Sequence, residues 1–389
     1  MLPLEGITVV ALEHAIAAPY CTRQLADLGA RVIKVERPGV GDFARGYDQR
    51  VNGLSSHFVW TNRSKESLAL DLKHPLAAEV LDKLLAQADV LVQNLAPGAA
   101  ARLGLSYAAL CEQHPKLIVC DISGYGEDGP YRDKKAYDLL IQSESGFLSV
   151  SGTPDEPSKA GCSIADIAAG TMAYSNVLAA LIERGRSGRG RHIDVSMLES
   201  MVEWMGFPMY YAYDGAAPPP RSGAAHATIY PYGPFPAGDG KTVMLGLQNE
   251  REWATFCEQV LLQPALARDE RFASNARRNA AREALRQIIV DCFGALTAAQ
   301  VVQRLEDAGI ANAQVNTMAD VWAHAQLQAR GRWTTVESSA GPLPALLPPG
   351  RDDAHMGAVP ALGQHTQAIL AELGLPGDLI SQLQGQGTP

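Results

Sequence analysis

The sequence predicts an α/β protein: a large domain on a doubly wound, mostly parallel sheet, and a smaller α+β domain. Three observations carry this expectation. Short apolar, strand-like runs alternate with helical segments up to about Val195, the pattern of a parallel sheet covered on both faces. The stretch Gly215-Ala-Ala-Pro-Pro-Pro-Arg-Ser-Gly-Ala-Ala-His226 then breaks the pattern with the Pro and Gly content of a linker. Beyond it lie a strand, charged helices and irregular segments, with no internal repeat.

Taken in order, Ile7 to Leu12 reads as a buried strand, Ala17 to Leu28 as a helix ended by Gly29, and Arg31 to Glu36 as the next strand. This resembles the start of a Rossmann-like dinucleotide fold, but the turn Glu13-His-Ala-Ile-Ala-Ala-Pro19 has none of the glycines that admit a pyrophosphate there. A nicotinamide or flavin cofactor is therefore not expected. A strand at Leu68 to Leu72 precedes a helix from Pro75 to Ala88, in which Leu76, Val80, Leu84 and Ala88 recur every four residues. Strands follow at Val90 to Gln93 and Leu117 to Ile122, then a helix from about Ala165 to Arg184 and a strand at His192 to Val195. The second part has a strand at Thr242 to Leu247, helices between Glu250 and Asp307, and a strand near Ala313 to Val315. Trp333 to Val336 and Gly341 to Gly350 look irregular, and a short helix spans Thr366 to Gly374.

The 389 residues are 47% hydrophobic and 19% charged, enough for two domains with cores of their own. A net charge of −9 argues against nucleic-acid binding, which rests on basic surface. No secretory leader is recognisable, and no apolar run approaches the roughly 18–20 residues of a membrane span, so a cytoplasmic protein without a membrane partner is expected. The six cysteines show no paired spacing for zinc or a disulfide frame and read as free, packed thiols. The scattered histidines suggest no metal. Gly240-Lys-Thr242 lacks the first glycine of a phosphate-binding loop and reads as a hairpin turn at Asp239-Gly240.

Two features point to chemistry. Arg31, Lys34, Arg37, Arg45, Arg63, Lys65 and Lys73 concentrate positive charge near predicted strand ends, which suits a ligand with several phosphates. Asp166 is the one carboxylate between Glu156 and Glu183, at the opening of a long apolar helix rich in small residues. On its own it is either a helix cap or a working group, since the helix dipole favours an acid there in both cases.

Several stretches together resemble the family III CoA-transferases, the group of formyl-CoA transferase, carnitine CoA-transferases and α-methylacyl-CoA racemases. They are Pro3-Leu-Glu-Gly6, Leu25 to Gly39 with Gly41-Asp42, Asn62 to Lys73, Val92 to Gly98, Asp121 to Gly126, Gly188 to Arg191 with its strand, and Pro360 to Thr366. The resemblance spans nearly the whole chain. It implies Asp166 as the catalytic nucleophile and coenzyme A, carried as an acyl thioester, as the ligand. The CoA contacts it implies are Ala15, Ile16, Ala17, Arg37, Leu70, Asp71, Leu72, Lys73, Asn94, Leu95, Ala96, Arg102, Lys135 and Tyr137. It further implies an interlocked homodimer, with a large domain over residues 1–205, a linker over 206–228, a small domain over 229–318, and a C-terminal segment, 319–389, returning to the large domain.

The formyl-CoA transferases of that family carry a glycine-rich loop in mid-chain. Here Arg221-Ser-Gly-Ala-Ala-His226 runs on to Tyr230-Pro-Tyr-Gly233 without one, so a short dicarboxylate such as itaconate, with succinyl-CoA as donor, is expected in place of oxalate and formyl-CoA. The carboxylate of such a substrate remote from the reaction needs a cationic partner, for which His14, Arg45, Arg221 and His226 are the candidates. A racemase of the family would pair the aspartate with a histidine. Tyr137 stands at that place and is a poor base at neutral pH. The remaining alternative is a CoA-binding protein in which Asp166 only caps its helix.

Overall fold

The computed structural model describes residues 1–377 together with Leu379 and Leu383. The chain divides into two compact units, one of residues 1–146, 160–206 and 326–389, the other of residues 147–159 and 207–325.

Six parallel strands form the sheet of the larger unit: β1 (Thr8–Leu12), β2 (Arg31–Glu36), β3 (Lys65–Ala69), β4 (Val90–Gln93), β5 (Ile118–Ser123) and β6 (His192–Ser196). Their order is β3-β2-β1-β4-β5-β6, a doubly wound arrangement that reverses between β1 and β4. Strands buried on both faces read as nearly continuous apolar runs, as Val9 to Leu12 and Leu91 to Val92 do. One face packs Val10, Ile33, Val35, Leu91 and Val119 against Val80, Leu81 and Leu84 of the helix Ala77–Leu85 and against Ile369 and Leu370 of the helix Thr366–Glu372.

The first helix (Ala17–Asp27) and the long helix (Ile164–Ser187) pack together through small residues. Gly170 lies so close to the first helix that a Cβ there would stand 2.5 Å from the Ala17 carbonyl oxygen. Contrary to the expectation from uncharged runs, the long helix has the length and apolarity of a membrane span. Its buried residues, Ala165, Ala168, Ala169, Gly170, Ala173, Val177 and Ala180, recur at helical spacing and supply a packing face instead.

Two strand expectations need correction. β3 starts and ends three residues earlier than expected, because its first residue is Lys65, a charged side chain that is fully buried. Trp333–Val336, expected to be irregular, is strand β10, paired antiparallel with Leu343–Leu346 (β11). In the smaller unit, Tyr232–Pro236 (β7), Thr242–Gly246 (β8) and Ala311–Gln314 (β9) form an antiparallel sheet in that order. Two prolines hid β7 from the sequence, and its edge position tolerates them. The hairpin between β7 and β8 turns at Gly240, whose φ of 77° suits a glycine. The smaller unit's core gathers Phe235, Val243, Trp253, Phe256, Phe272 and Phe293. Cys162 is exposed, against the expectation that every thiol is packed.

Candidate active site

A parallel sheet places every strand's carboxyl end on one edge, and a crossover helix starts back from that edge. The long helix is part of the crossover from β5 to β6, so its first turn, with Asp166, lies there. Ser163 precedes this helix without a side-chain capping bond. The cap comes instead from Asp138, at the start of the helix Asp138–Glu144: its Oδ1 accepts the N–H of Ala165 at 2.8 Å and of Asp166 at 3.4 Å. Gln142 donates to Oδ2 of Asp138 at 2.7 Å and accepts the Ala160 N–H at 2.9 Å, fixing both the acid and the approach to the helix.

Asp166 is thereby released from capping. Among the described residues no hydrogen bond or ion pair is recorded for its carboxylate. It is partly exposed, yet burial, and then the charge of Asp138, push its carboxyl up to about 7. A helix N-terminus lowers a carboxyl pKa by only a fraction of a unit to about one unit, so desolvation and repulsion win. An unpaired, desolvated carboxyl at a strand-end crevice marks a candidate for a working group.

The loop after β1 is the second wall. His14 and Asn94 bridge the crevice where strand order reverses: the His14 N–H donates to Asn94 Oδ1 at 2.8 Å, and Asn94 Nδ2 donates to the His14 carbonyl at 2.9 Å. Ala15 takes a left-handed φ of 61°, an uncommon conformation for an alanine. Its N–H donates to Asp42 Oδ1 at 3.1 Å. Asp42 in turn accepts from Lys34 Nζ at 2.8 Å, and Lys65 Nζ donates to Glu13 Oε1 at 2.7 Å, all four charged side chains being fully buried. Burial alone would raise the Asp42 carboxyl, but Lys34 and the bonds it accepts hold it well below the usual range. Burial lowers Lys65 to about 8 despite the pull of Glu13.

Aromatic rings line the same loops. His14 stacks on Phe43 with centroids 5.0 Å apart. Tyr47, whose phenol burial and the charges of Asp42 and Asp166 push up to about 12, faces Phe43 at 5.9 Å.

The CoA-transferase family III model matches residues 4–366. The chain belongs to CoA-transferase family III. It is 36% identical to a succinate–glutarate CoA-transferase of Agrobacterium fabrum, over 95% of this chain and 96% of that one. It is 33% identical to an acetyl-CoA:oxalate CoA-transferase of Acetobacter aceti, over 96% of each. A crystal structure of a CaiB/BaiF family protein from Brucella suis superposes with a TM-score of 0.84 at 34% identity, covering 96% of this chain and 99% of that one. The protein is thus a CoA-transferase whose substrates are CoA thioesters, and it shares the α/β fold of its structural neighbours.

The residues that the family likeness implies for CoA all fall on this edge of the transferase. Ala15, Ile16 and Ala17 follow β1, and Arg37 follows β2. Leu70, Asp71, Leu72 and Lys73 follow β3, Asn94, Leu95, Ala96 and Arg102 follow β4, and Lys135 and Tyr137 follow β5. Arg37, Lys73, Arg102, Lys135 and Tyr137 are exposed, whereas Ile16, Ala17 and Leu70 are buried and shape the loops.

The basic cluster resolves differently from its reading as a phosphate site. Arg31 pairs with Glu66 and Glu372, Lys34 with Glu13 and Asp42, Arg45 with Glu36, Arg63 with Asp27, and Lys65 with Glu13. Only Arg37 and Lys73 have no ion pair recorded among the described residues. Arg45 grips both oxygens of buried Glu36 at 2.8 Å, so its fork is already occupied. Arg221 and His226 belong to the smaller unit. There Arg221 donates to the carbonyls of Thr153 and Pro154, while His226 Nδ1 accepts the N–H of Thr228 and Ile229 and its ring stacks on Tyr232. Of the four cationic candidates, His14 and Arg45 lie on the loops of this edge; the Arg45 fork is taken by Glu36, and the His14 Nδ1 stands 3.8 Å from the buried Asp42 carboxylate. Asp138, Phe43 and Tyr47 carry no sequence signal, and Asp42 enters only through the Gly41-Asp42 stretch of the family likeness; the capping of the Asp166 turn by an acid 28 residues away leaves no local pattern.

Proposed function

We propose that the transferase moves CoA from succinyl-CoA to a short dicarboxylate through covalent intermediates on Asp166, with the five-carbon acids glutarate and itaconate as acceptor candidates. The observation that carries the chemistry is the uncapped, desolvated Asp166 carboxyl at the carboxyl edge of the sheet. Desolvation makes a carboxylate a stronger nucleophile, and covalent catalysis splits one hard exchange into easier steps. The Asp166 carboxylate attacks the thioester carbonyl, forming an anhydride and expelling CoA thiolate. The thiolate attacks the aspartyl carbonyl, giving an aspartyl-CoA thioester and releasing succinate. The incoming carboxylate attacks that thioester, expelling thiolate and forming a second anhydride. Thiolate then attacks the acyl carbonyl, the product thioester leaves, and the Asp166 carboxylate is restored.

The substrate class rests on the Agrobacterium relative, named for succinate and glutarate, with the partly exposed His14 imidazole, stacked on Phe43, as the polar group offered to the remote carboxylate. Transfer from succinyl-CoA to a panel of glutarate, itaconate, mesaconate, oxalate and carnitine tests it, and preference for oxalate or a monocarboxylate would sink it. For the chemistry, Asp166→Asn is nearly isosteric. It should lower turnover by more than about a hundredfold while CoA binding persists. We further propose that the enzyme is a homodimer, to be read by light scattering against the chain mass of 41.5 kDa.

A further inference from the structure

Away from Asp166, a second group of polar side chains converges on the face of β5 and β6. His192 Nε2 lies 2.7 Å from Asp121 Oδ2 and 3.3 Å from Glu127 Oε1, and the three ligand atoms lie within 4.8 Å of one another. We propose that Asp121, Glu127 and His192 bind one divalent cation of the zinc or manganese kind, in a structural role that fastens the segment after β5 to the start of β6.

Three features argue for a built site. The donor set is mixed, one imidazole nitrogen and two carboxylate oxygens, which suits borderline divalent ions. Two ligands bound side by side at the usual metal distances stand about 3.0–3.4 Å apart, so the separations of 2.7 and 3.3 Å need shifts of only a few tenths of an ångström. Finally, the ligands are themselves held, as metal ligands usually are. Gln93 Nε2 donates to Asp121 Oδ1 at 2.7 Å while its Oε1 accepts the Leu95 N–H, which leaves Oδ2 directed at the imidazole. Tyr107 stacks on the His192 ring at 5.5 Å, and the Glu127 N–H is anchored on Asp194 Oδ2. On binding, His192 Nε2 gives its proton to solvent and its lone pair to the ion.

With Asp194 alongside, three carboxylates surround a single imidazole, so the locus is negative and a divalent ion offsets most of that charge. Asp121 is buried and the Glu127 side chain is half exposed, which leaves an entry path. The segment it fastens runs on through Lys135 and Tyr137 to Asp138, the cap of the long helix. Family III transfer chemistry calls for no metal at this place, and the 71-residue separation of Asp121 from His192 hid the group from spacing rules.

The test uses the full-length protein, stripped with EDTA and titrated calorimetrically with zinc chloride. The expected result is one ion per chain at micromolar affinity or tighter, a raised thermal midpoint, and at least tenfold weaker binding in both Glu127→Gln and His192→Gln. Circular dichroism in EDTA checks that the variants fold. If His192→Gln does not, Glu127→Gln decides alone. Absence of stoichiometric binding, binding unchanged in Glu127→Gln, or binding abolished instead by Cys162→Ser would overturn the proposal.

Discussion

At the scale of single residues, Asp166 and Asp138 form a pair whose roles are divided by geometry: one caps, the other is held ready. For Asp166 to act as a nucleophile it must be ionised, so kcat/KM should rise with pH through about 7. Asp138→Asn keeps an oxygen for the Ala165 N–H but removes the neighbouring charge. The rising limb should therefore move to lower pH, and an unmoved limb in that variant would show that Asp138 acts only as a cap. The same carboxyl makes a stability prediction. Its ordinary pKa is 3.8 and its folded value is raised, so the folded state is penalised for ionising it. The penalty is absent below about pH 4, grows as pH climbs, and is complete above about 7. Asp166→Asn should accordingly unfold at higher denaturant than wild type at pH 8, with the gap closing near pH 4. Lys34→Met tests the buried network: it leaves Asp42 without its cation in a dry site and should cost about 3–5 kcal/mol in urea unfolding. A loss below about 1 kcal/mol would mean that the Asp42 carboxylate finds another partner.

At the scale of elements, the contact of the first helix with the long one is set by small residues. Gly170 is one turn beyond Asp166, and its neighbours are the Ala17 carbonyl and the Tyr20 ring. Gly170→Ala should cost about 1–3 kcal/mol by overpacking and should lower turnover as well, because separating the helices shifts the turn that carries Asp166. Unchanged denaturation midpoint and turnover would show that the helices part without cost. The elements themselves were largely legible: β2 and β4 match the sequence reading residue for residue, β4 because an uninterrupted apolar run marks a strand buried on both faces, β2 because Val32, Ile33 and Val35 outweigh the buried Lys34 between them. Where a strand begins on a buried lysine, as β3 does, or carries prolines at an edge, as β7 does, local pattern misreports it because tertiary partners decide the outcome. For the site, Asp166 stood out through its isolation among apolar residues. The neutralisation of Lys34, Arg45 and Lys65 could not be seen, because their acids pair with them only across the sheet and its loops.

At the scale of the molecule, the larger unit draws on three separate stretches of chain. Its edge strand β3 is closed by the C-terminal one. The His365 N–H donates to the Ser67 carbonyl and His365 Nδ1 accepts the Ser67 N–H at 3.1 Å, while the Ala69 N–H donates to Thr366 Oγ1 at 2.9 Å. Earlier in the same stretch, the Ser64 N–H donates to the Ala358 carbonyl. A chain ended after residue 356 should therefore be recovered mainly in the insoluble fraction, since an open strand edge templates association. Recovery of that chain as a soluble, cooperatively folding protein would show that the edge needs no cover.

The closure of β3 also imposes an order in time. The strand leaves the ribosome early, but the segment that covers its edge is separated from it by nearly 300 residues, 298 between Ser67 and His365. At about 5–20 residues per second that segment follows by roughly 15–60 s. Throughout that interval the nascent sheet presents unpaired N–H and C=O groups beside Leu68 and Leu70, which are buried in the finished protein. The yield of this enzyme in a cell should thus depend on elongation speed and on whatever shields nascent strands, independently of how stable the completed fold is.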